Sequence, residues 1–255
     1  MTIPVAVPQW RIDPDREKAA LDALAAGADQ LYLDFGGARR GARLDEPGQL
    51  AAALDLAQIM AIPVLAVHGV DDIGFADPSA TALLEAAFDC ALALGVRTLY
   101  VPGFRKSSPD SPERLAQART ALVRICERAR GSPVTIAYAS ALGAEESVAL
   151  ARAVDRPELR VVLDIGALIE AGHNPEEFAE VVRRAELLLP DVHAQDPASA
   201  PGRAIALLPA LVSRGVVGSV LVANDYLAHP RLLRSDIERC RSLGARRSRT
   251  IRLPY

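Results

Sequence analysis

Arg160 to Asp196 reads RVVLDIGALIEAGHNPEEFAEVVRRAELLLPDVHAQD, and from its two ends inward it is strand, helix, strand. Val161-Val162-Leu163 is a short β-branched and apolar run that stops at a carboxylate, Asp164. Glu176 to Ala185 repeats apolar residues at helical spacing. Leu187 to Val192 is a second apolar run, stopping at His193, with Asp196 three residues on. In a parallel βαβ unit the C-terminal ends of successive strands lie side by side. Asp164 and His193, 29 positions apart in the chain, are therefore expected to face one pocket.

The same grammar extends in both directions. Predicted strands are Ile3 to Val7, Gln30 to Asp34, Ile62 to Val67, Arg97 to Val101, Val134 to Tyr138 and Ser219 to Ala223, beside the two above. Helices are expected from Asp13-Pro14 to Gly27, Gly48 to Met60, Asp77 to Gly95, Ser111 to Ala129, Ala144 to Val154, Ile205 to Ser213 and Pro230 to Leu243. A weak internal echo supports the count. GADQLYL from Gly27, GVRTLYV from Gly95 and GVVGSVLV from Gly215 each run helix-stop glycine, turn, strand. Strict β/α alternation demands a parallel sheet covered by helices. Eight units in about 250 residues is the size of a closed (β/α)8 TIM barrel. An open doubly wound sheet usually carries a glycine-rich turn after its first strand, and VPQWRID has none. A single domain over residues 1–255 is expected, with residues 244–255 as a terminal tail.

Composition narrows the function. The chain has 255 residues, half of them hydrophobic, and a net charge of −3, so it lacks the basic footprint of a nucleic-acid binder. The arginines at 246, 247, 249 and 252 read as a solvated end. Cys90, Cys126 and Cys240 are too few and too scattered for a disulfide framework. No run has the length to cross a bilayer, and MTIPVAVPQWRID lacks the layout of a signal peptide. A cytoplasmic protein acting on a small molecule is expected, with no nucleic-acid or membrane partner; a homo-oligomer stays open.

In a barrel the site lies at the C-terminal ends of the strands. That rule selects His193, Asp164 and Asp196 as catalytic candidates, and Trp10, Asp34, His68, Tyr138, Gln195 and Asn224 as substrate-binding candidates. Asp164 can be a metal ligand, a general base or a loop cap. His193 can carry a proton, bind a metal or hydrogen-bond within the rim. Asp196 can orient His193 or hold a loop, and Asp34 can cap the Gly36-Gly37 turn. Trp10, the one tryptophan, can wall a ligand or pack at the rim. Tyr138 can donate to substrate or fill space. Arg105 to Ser108 can meet an anion, but reads more simply as a solvated loop. His173 and His229 read as structural or exposed.

Three pieces resemble the sugar phosphate isomerase/epimerase superfamily, the xylose isomerase-like or AP endonuclease 2-like TIM barrels. They are RVVLDIGALIEAGHNP, LLPDVHAQD and LALGVRTLYVPG, in family order and spacing. The resemblance implies a divalent ion held by a Glu, an Asp, a His and a Glu ending strands five to eight. Asp164 and His193 match. Strand five, VTIAYAS, has Tyr138 or Ala139 where the first Glu belongs, and strand eight, SVLVAND, has Ala223 or Asn224. The family's histidine after the sixth strand is Ala167, and its seventh-strand lysine is Gln195. A hard cation needs several anionic oxygens, so no cofactor is expected; a metal, if any, would use Asp164 and His193, perhaps with His68 in a softer site. The expected function is acid/base proton transfer on a small polyhydroxy or carbonyl substrate, as in an isomerase or epimerase, without the family's metal. The alternatives are a remodelled metal-dependent isomerase or lyase, and a non-catalytic barrel binding a small ligand or a partner.

Overall fold

The computed structural model describes residues 3–37, 40–197 and 201–247. Eight parallel strands close on themselves in chain order, each hydrogen-bonded to the next and the eighth to the first. They are β1 (Val5–Pro8), β2 (Gln30–Asp34), β3 (Val64–Ala66), β4 (Thr98–Gly103), β5 (Thr135–Ser140), β6 (Leu159–Asp164), β7 (Leu188–Ala194) and β8 (Ser219–Val222). The covering helices include α2 (Arg16–Ala26), α3 (Gln49–Ile59), α5 (Ser79–Leu94), α6 (Pro112–Ala129), α7 (Ala144–Val154), α9 (Pro175–Arg184), α10 (Arg203–Ser213) and α11 (Pro230–Arg247). No described helix is long and apolar enough to cross a membrane.

Period two along each strand divides the core. Ala6, Tyr32, Ala66, Tyr100, Ala137, Ala139, Val162, Leu221 and Ala223 form one cluster, inside the barrel. Their neighbours, among them Val7, Leu33, Leu65, Val101, Tyr138, Leu163 and Val192, join the larger cluster between sheet and helices. Small and large side chains thus share the interior, which a barrel this narrow requires. The same alternation decides which strand-end residues point into the mouth.

Local chemistry sets the helix starts. Ser111 accepts the Arg114 N–H ahead of Pro112, and Asn174 accepts those of Glu176 and Glu177 ahead of Pro175. The first covering helix starts later than its Asp-Pro dipeptide suggests, because Asp15 rather than Asp13 caps it. The last helix continues past Leu243 to Arg247, so part of the expected tail is helical. Residues 248–255 lie outside the described residues.

Three short helices escape the sequence reading: α1 (Gln9–Ile12), α4 (Gly69–Ile73) and α8 (Ile165–Glu170), with a 3-10 turn at Arg105–Ser107. All four start within three residues of a strand end and so build the rim of the mouth.

Candidate active site

Strands β6 and β7 bring the first pair together. Asp164 and His193 are register partners across the two strands, although the ladder shifts between Val161 and Leu163. Pro190, which cannot donate to a ladder, lies on β7 within that irregular stretch. Asp164 also starts α8, accepting the Ala167 N–H at 3.0 Å. Burial pushes its carboxyl up to about 6, and the Ala167 N–H offsets part of that push. Burial, reinforced by the repulsion of His68, lowers His193 to about 3, so this imidazole is neutral at physiological pH. A neutral ring offers one N–H donor and one bare nitrogen.

The opposite wall comes from β2 and β3. His68 follows β3 and sets its Nδ1 2.6 Å from Asp34 Oδ2. Asp34 is fully buried, and its other oxygen accepts the Gly36 N–H at 2.8 Å. Asp34 thus both caps the glycine turn and orients His68. Between the two histidines stands Tyr100, its ring centroid 5.7 Å from His68 and 4.9 Å from His193. Trp10 closes on His68 from the other side, at 4.4 Å.

Apart from Asp34, these groups line a cavity of about 550 Å³. Six of the nine sequence-predicted residues line it: Trp10, His68, Asp164, His193, Gln195 and Asp196. Asp34 acts through His68. Tyr138 faces outward between sheet and helices, because Ala137 and Ala139 hold the inward positions of β5. Asn224 binds neighbours instead of facing the cavity. Its Oδ1 accepts the Asp196 N–H at 2.8 Å, and its Nδ2 donates to Asp236 Oδ2 at 2.9 Å and Asp196 Oδ2 at 3.3 Å. Asp196 Oδ1 accepts the Ala204 N–H at 2.9 Å, so its two carboxylate oxygens tie it to the start of α10 and to Asn224. Of its two readings, the loop-holding one has these bonds behind it.

Several lining residues were not singled out: Arg11, Arg40, Asp71, Tyr100, Phe104 and Glu170. Tyr100 had a signal in the echoed LYL and LYV, where both tyrosines fall on the inward register. Asp71 is buried and pushed up to about 6 by that burial, against the Phe104 N–H it accepts at 2.8 Å. Arg11 reaches Gln195 Oε1 at 3.3 Å from α1. Arg105, whose surroundings read as a solvated loop, also lines the cavity.

The mouth has an uneven donor set. At the tips of β5 and β8 the inward positions are Ala139 and Ala223, whose methyl groups offer no ligand atom. Among the described residues, no three or more His, Cys, Asp or Glu side chains are arranged to hold a metal ion.

Fold and site together define a TIM barrel with a polar, ligand-sized pocket of carboxylates and imidazoles at its strand tips. The chain belongs to the xylose isomerase-like TIM barrel family, whose model matches residues 20–216. It is 29% identical, over 97% of its own length and 98% of the relative's, to a 2-epi-5-epi-valiolone 7-phosphate 2-epimerase from Actinoplanes sp.. Among solved structures it is similar to a D-tagatose 3-epimerase-like protein (TM-score 0.74, 15% identity, 97% of this chain and 100% of that one). It is also similar to a D-allulose 3-epimerase from Methylomonas sp. (TM-score 0.66, 19% identity, 97% and 98% covered). At those identities the two structures establish the fold alone.

Proposed function

We propose that this chain is an epimerase that inverts a hydroxyl-bearing carbon beside a carbonyl in a small polyhydroxylated substrate. The observation that carries the reading is the placement of His68 and Asp164. They stand three strands apart in an eight-strand ring, on nearly opposite walls of one cavity. Inversion needs a proton removed from one face of a carbon and returned to the other. His68, held by Asp34, takes the proton from one face. The C–H electrons move onto the carbonyl oxygen as an enolate, which the neutral His193 N–H stabilises. Asp164 then delivers a proton to the opposite face, and the electrons return to carbon. One C–H bond breaks, one forms, and nothing is oxidised. A carboxyl pushed up to about 6 exchanges protons readily near neutral pH. The relative named as a 2-epi-5-epi-valiolone 7-phosphate 2-epimerase supports the substrate class.

The donor set does not fit the divalent ion that the resemblance implies. Asp164 and His193 remain, but Ala139 and Ala223 bring no oxygen to the mouth, and a hard cation needs several anionic ones. The proposed chemistry accordingly uses side chains alone.

The test is incubation with 2-epi-5-epi-valiolone 7-phosphate in D2O, followed by NMR. The inverting carbon should acquire deuterium as the epimer accumulates, and His68→Gln should slow both by about 10²–10⁴-fold. Wild-type protein that neither exchanges nor epimerises this substrate would overturn the proposal.

A further inference from the structure

We propose that Arg40 and Arg105 form a subsite for a phosphate monoester on the rim of this cavity. The inference rests on the epimerase reading for its use, but not for its geometry. Arg40 comes from the loop after β2, Arg105 from the turn after β4, and both line the cavity. Between them lies Asp72 of α4. Arg105 Nη2 is 2.8 Å from Asp72 Oδ1, and Arg40 Nη1 pairs with Asp72 Oδ2. Two guanidiniums share one carboxylate, which leaves N–H donors of both forks spare at the rim. By contrast, Arg128 with Asp89 and Arg156 with Glu127 set one cation against one acid.

The cluster is held by its scaffold. Arg105 has φ 44°, a left-handed backbone conformation that residues other than glycine rarely adopt. Strain of this kind persists only where its surroundings enforce it. Here Ser107 Oγ donates to Val70 O at 2.6 Å, and the Phe104 N–H donates to Asp71 Oδ1 at 2.8 Å. Gly74 lets the Lys106 carbonyl come close; a Cβ there would meet that oxygen at 2.9 Å. The 104–107 turn is thus pinned to α4, with Arg105 beside Asp72. Burial works against the Asp72 charge, but Arg40 and Arg105 outweigh it and keep the carboxyl below its ordinary range.

Two planar forks with spare donors suit a tetrahedral oxyanion. The cluster lies by the tips of β2, β3 and β4, on the His68 side and across from Asp164 and His193. A phosphate held there would anchor one end of a substrate whose other end reaches the proton-transfer groups.

The test is calorimetric titration of the full chain with inorganic phosphate at fixed ionic strength. Wild type should bind phosphate at millimolar concentrations. Arg40→Ala and Arg105→Ala should each weaken binding about ten- to hundred-fold, and Arg105→Lys, which keeps the charge, should weaken it less. Circular dichroism checks that each variant folds. Should Arg105→Ala not fold, the Arg105→Lys titration decides. Variants that bind phosphate as tightly as wild type, or a wild type that does not bind it, would overturn the subsite. Because binding is read without turnover, the two proposals fail separately. Phosphate binding without deuterium exchange removes the epimerase alone, and exchange without phosphate binding removes the subsite alone.

Discussion

Asp164 meets two demands that pull in opposite directions. As the residue that caps the start of α8 it gives an oxygen to the Ala167 N–H, and a carboxylate does this well. As a buried wall of the cavity it resists ionisation, and its carboxyl sits at about 6 in place of 3.8. The effect on stability has a definite sign. Below pH 3.8 the group is protonated in both folded and unfolded chains and contributes nothing. Between 3.8 and about 6 the folded protein keeps a proton that the unfolded chain has lost, so stability falls as pH rises. Above that the full penalty persists. Asp164→Asn keeps the capping oxygen and removes the charge. It should stabilise the protein by about 1–3 kcal/mol at pH 7–8, with the gain vanishing as pH drops through the same window. Proton transfer should meanwhile slow about 10²–10⁴-fold. Urea denaturation across pH beside the exchange assay checks both, and a variant that is less stable at pH 8 would contradict the burial argument.

The long elements were legible because each repeats a period. Apolar residues recur at helical spacing through α6 and α9, and short apolar runs mark β6 and β7. The rim helices were not, because α1, α4 and α8 have only 4, 5 and 6 residues and complete no repeat. Their positions are set by packing against strand tips, which the α8 contact illustrates. A Cβ at Gly166 would stand 2.4 Å from the Gln195 carbonyl oxygen, a backbone atom just past β7. The absent side chain is what lets α8 and the β7 end approach while Asp164 and His193 stay in register. Gly166→Ala must therefore push the two apart. A loss of about 1–3 kcal/mol is expected, together with weaker catalysis, since the displaced segments hold Asp164 and Gln195. Thermal melting and the exchange assay should move together; a Gly166→Ala protein with wild-type stability would mean that the rim is softer than its packing implies.

Closure of the barrel is what turns a list of strand ends into a mouth, and it sets how much of the site could be read in advance. Residues ending strands were legible from topology, so Asp164, His193 and His68 fell on the cavity. Their orientation was not, because it depends on a two-residue period whose phase each strand fixes in three dimensions. Tyr138 and Ala139 are neighbours, yet the tyrosine turns outward and the alanine inward. At the end of β8 the same phase turns Ala223 inward and leaves Asn224 to bridge Asp196 and Asp236. Arg40 and Arg105 lie on loops, where no periodicity speaks. The phase argument has a consequence for the whole ring. If the two alanines are the inward tips of β5 and β8, only one acid and one neutral imidazole remain of the four-residue ligand set. Proton exchange should then survive exhaustive dialysis against EDTA within about twofold, since no catalytic group depends on a cation of the kind that needs several anionic oxygens. Adding Mn²⁺ back should change little, whereas Ala139→Glu with Ala223→Glu, restoring two carboxylates to the mouth, should create measurable Mn²⁺ binding by calorimetry. Activity that EDTA abolishes and Mn²⁺ restores in the wild-type chain would show that the ring finds its ligands elsewhere, and the side-chain mechanism would have to be abandoned.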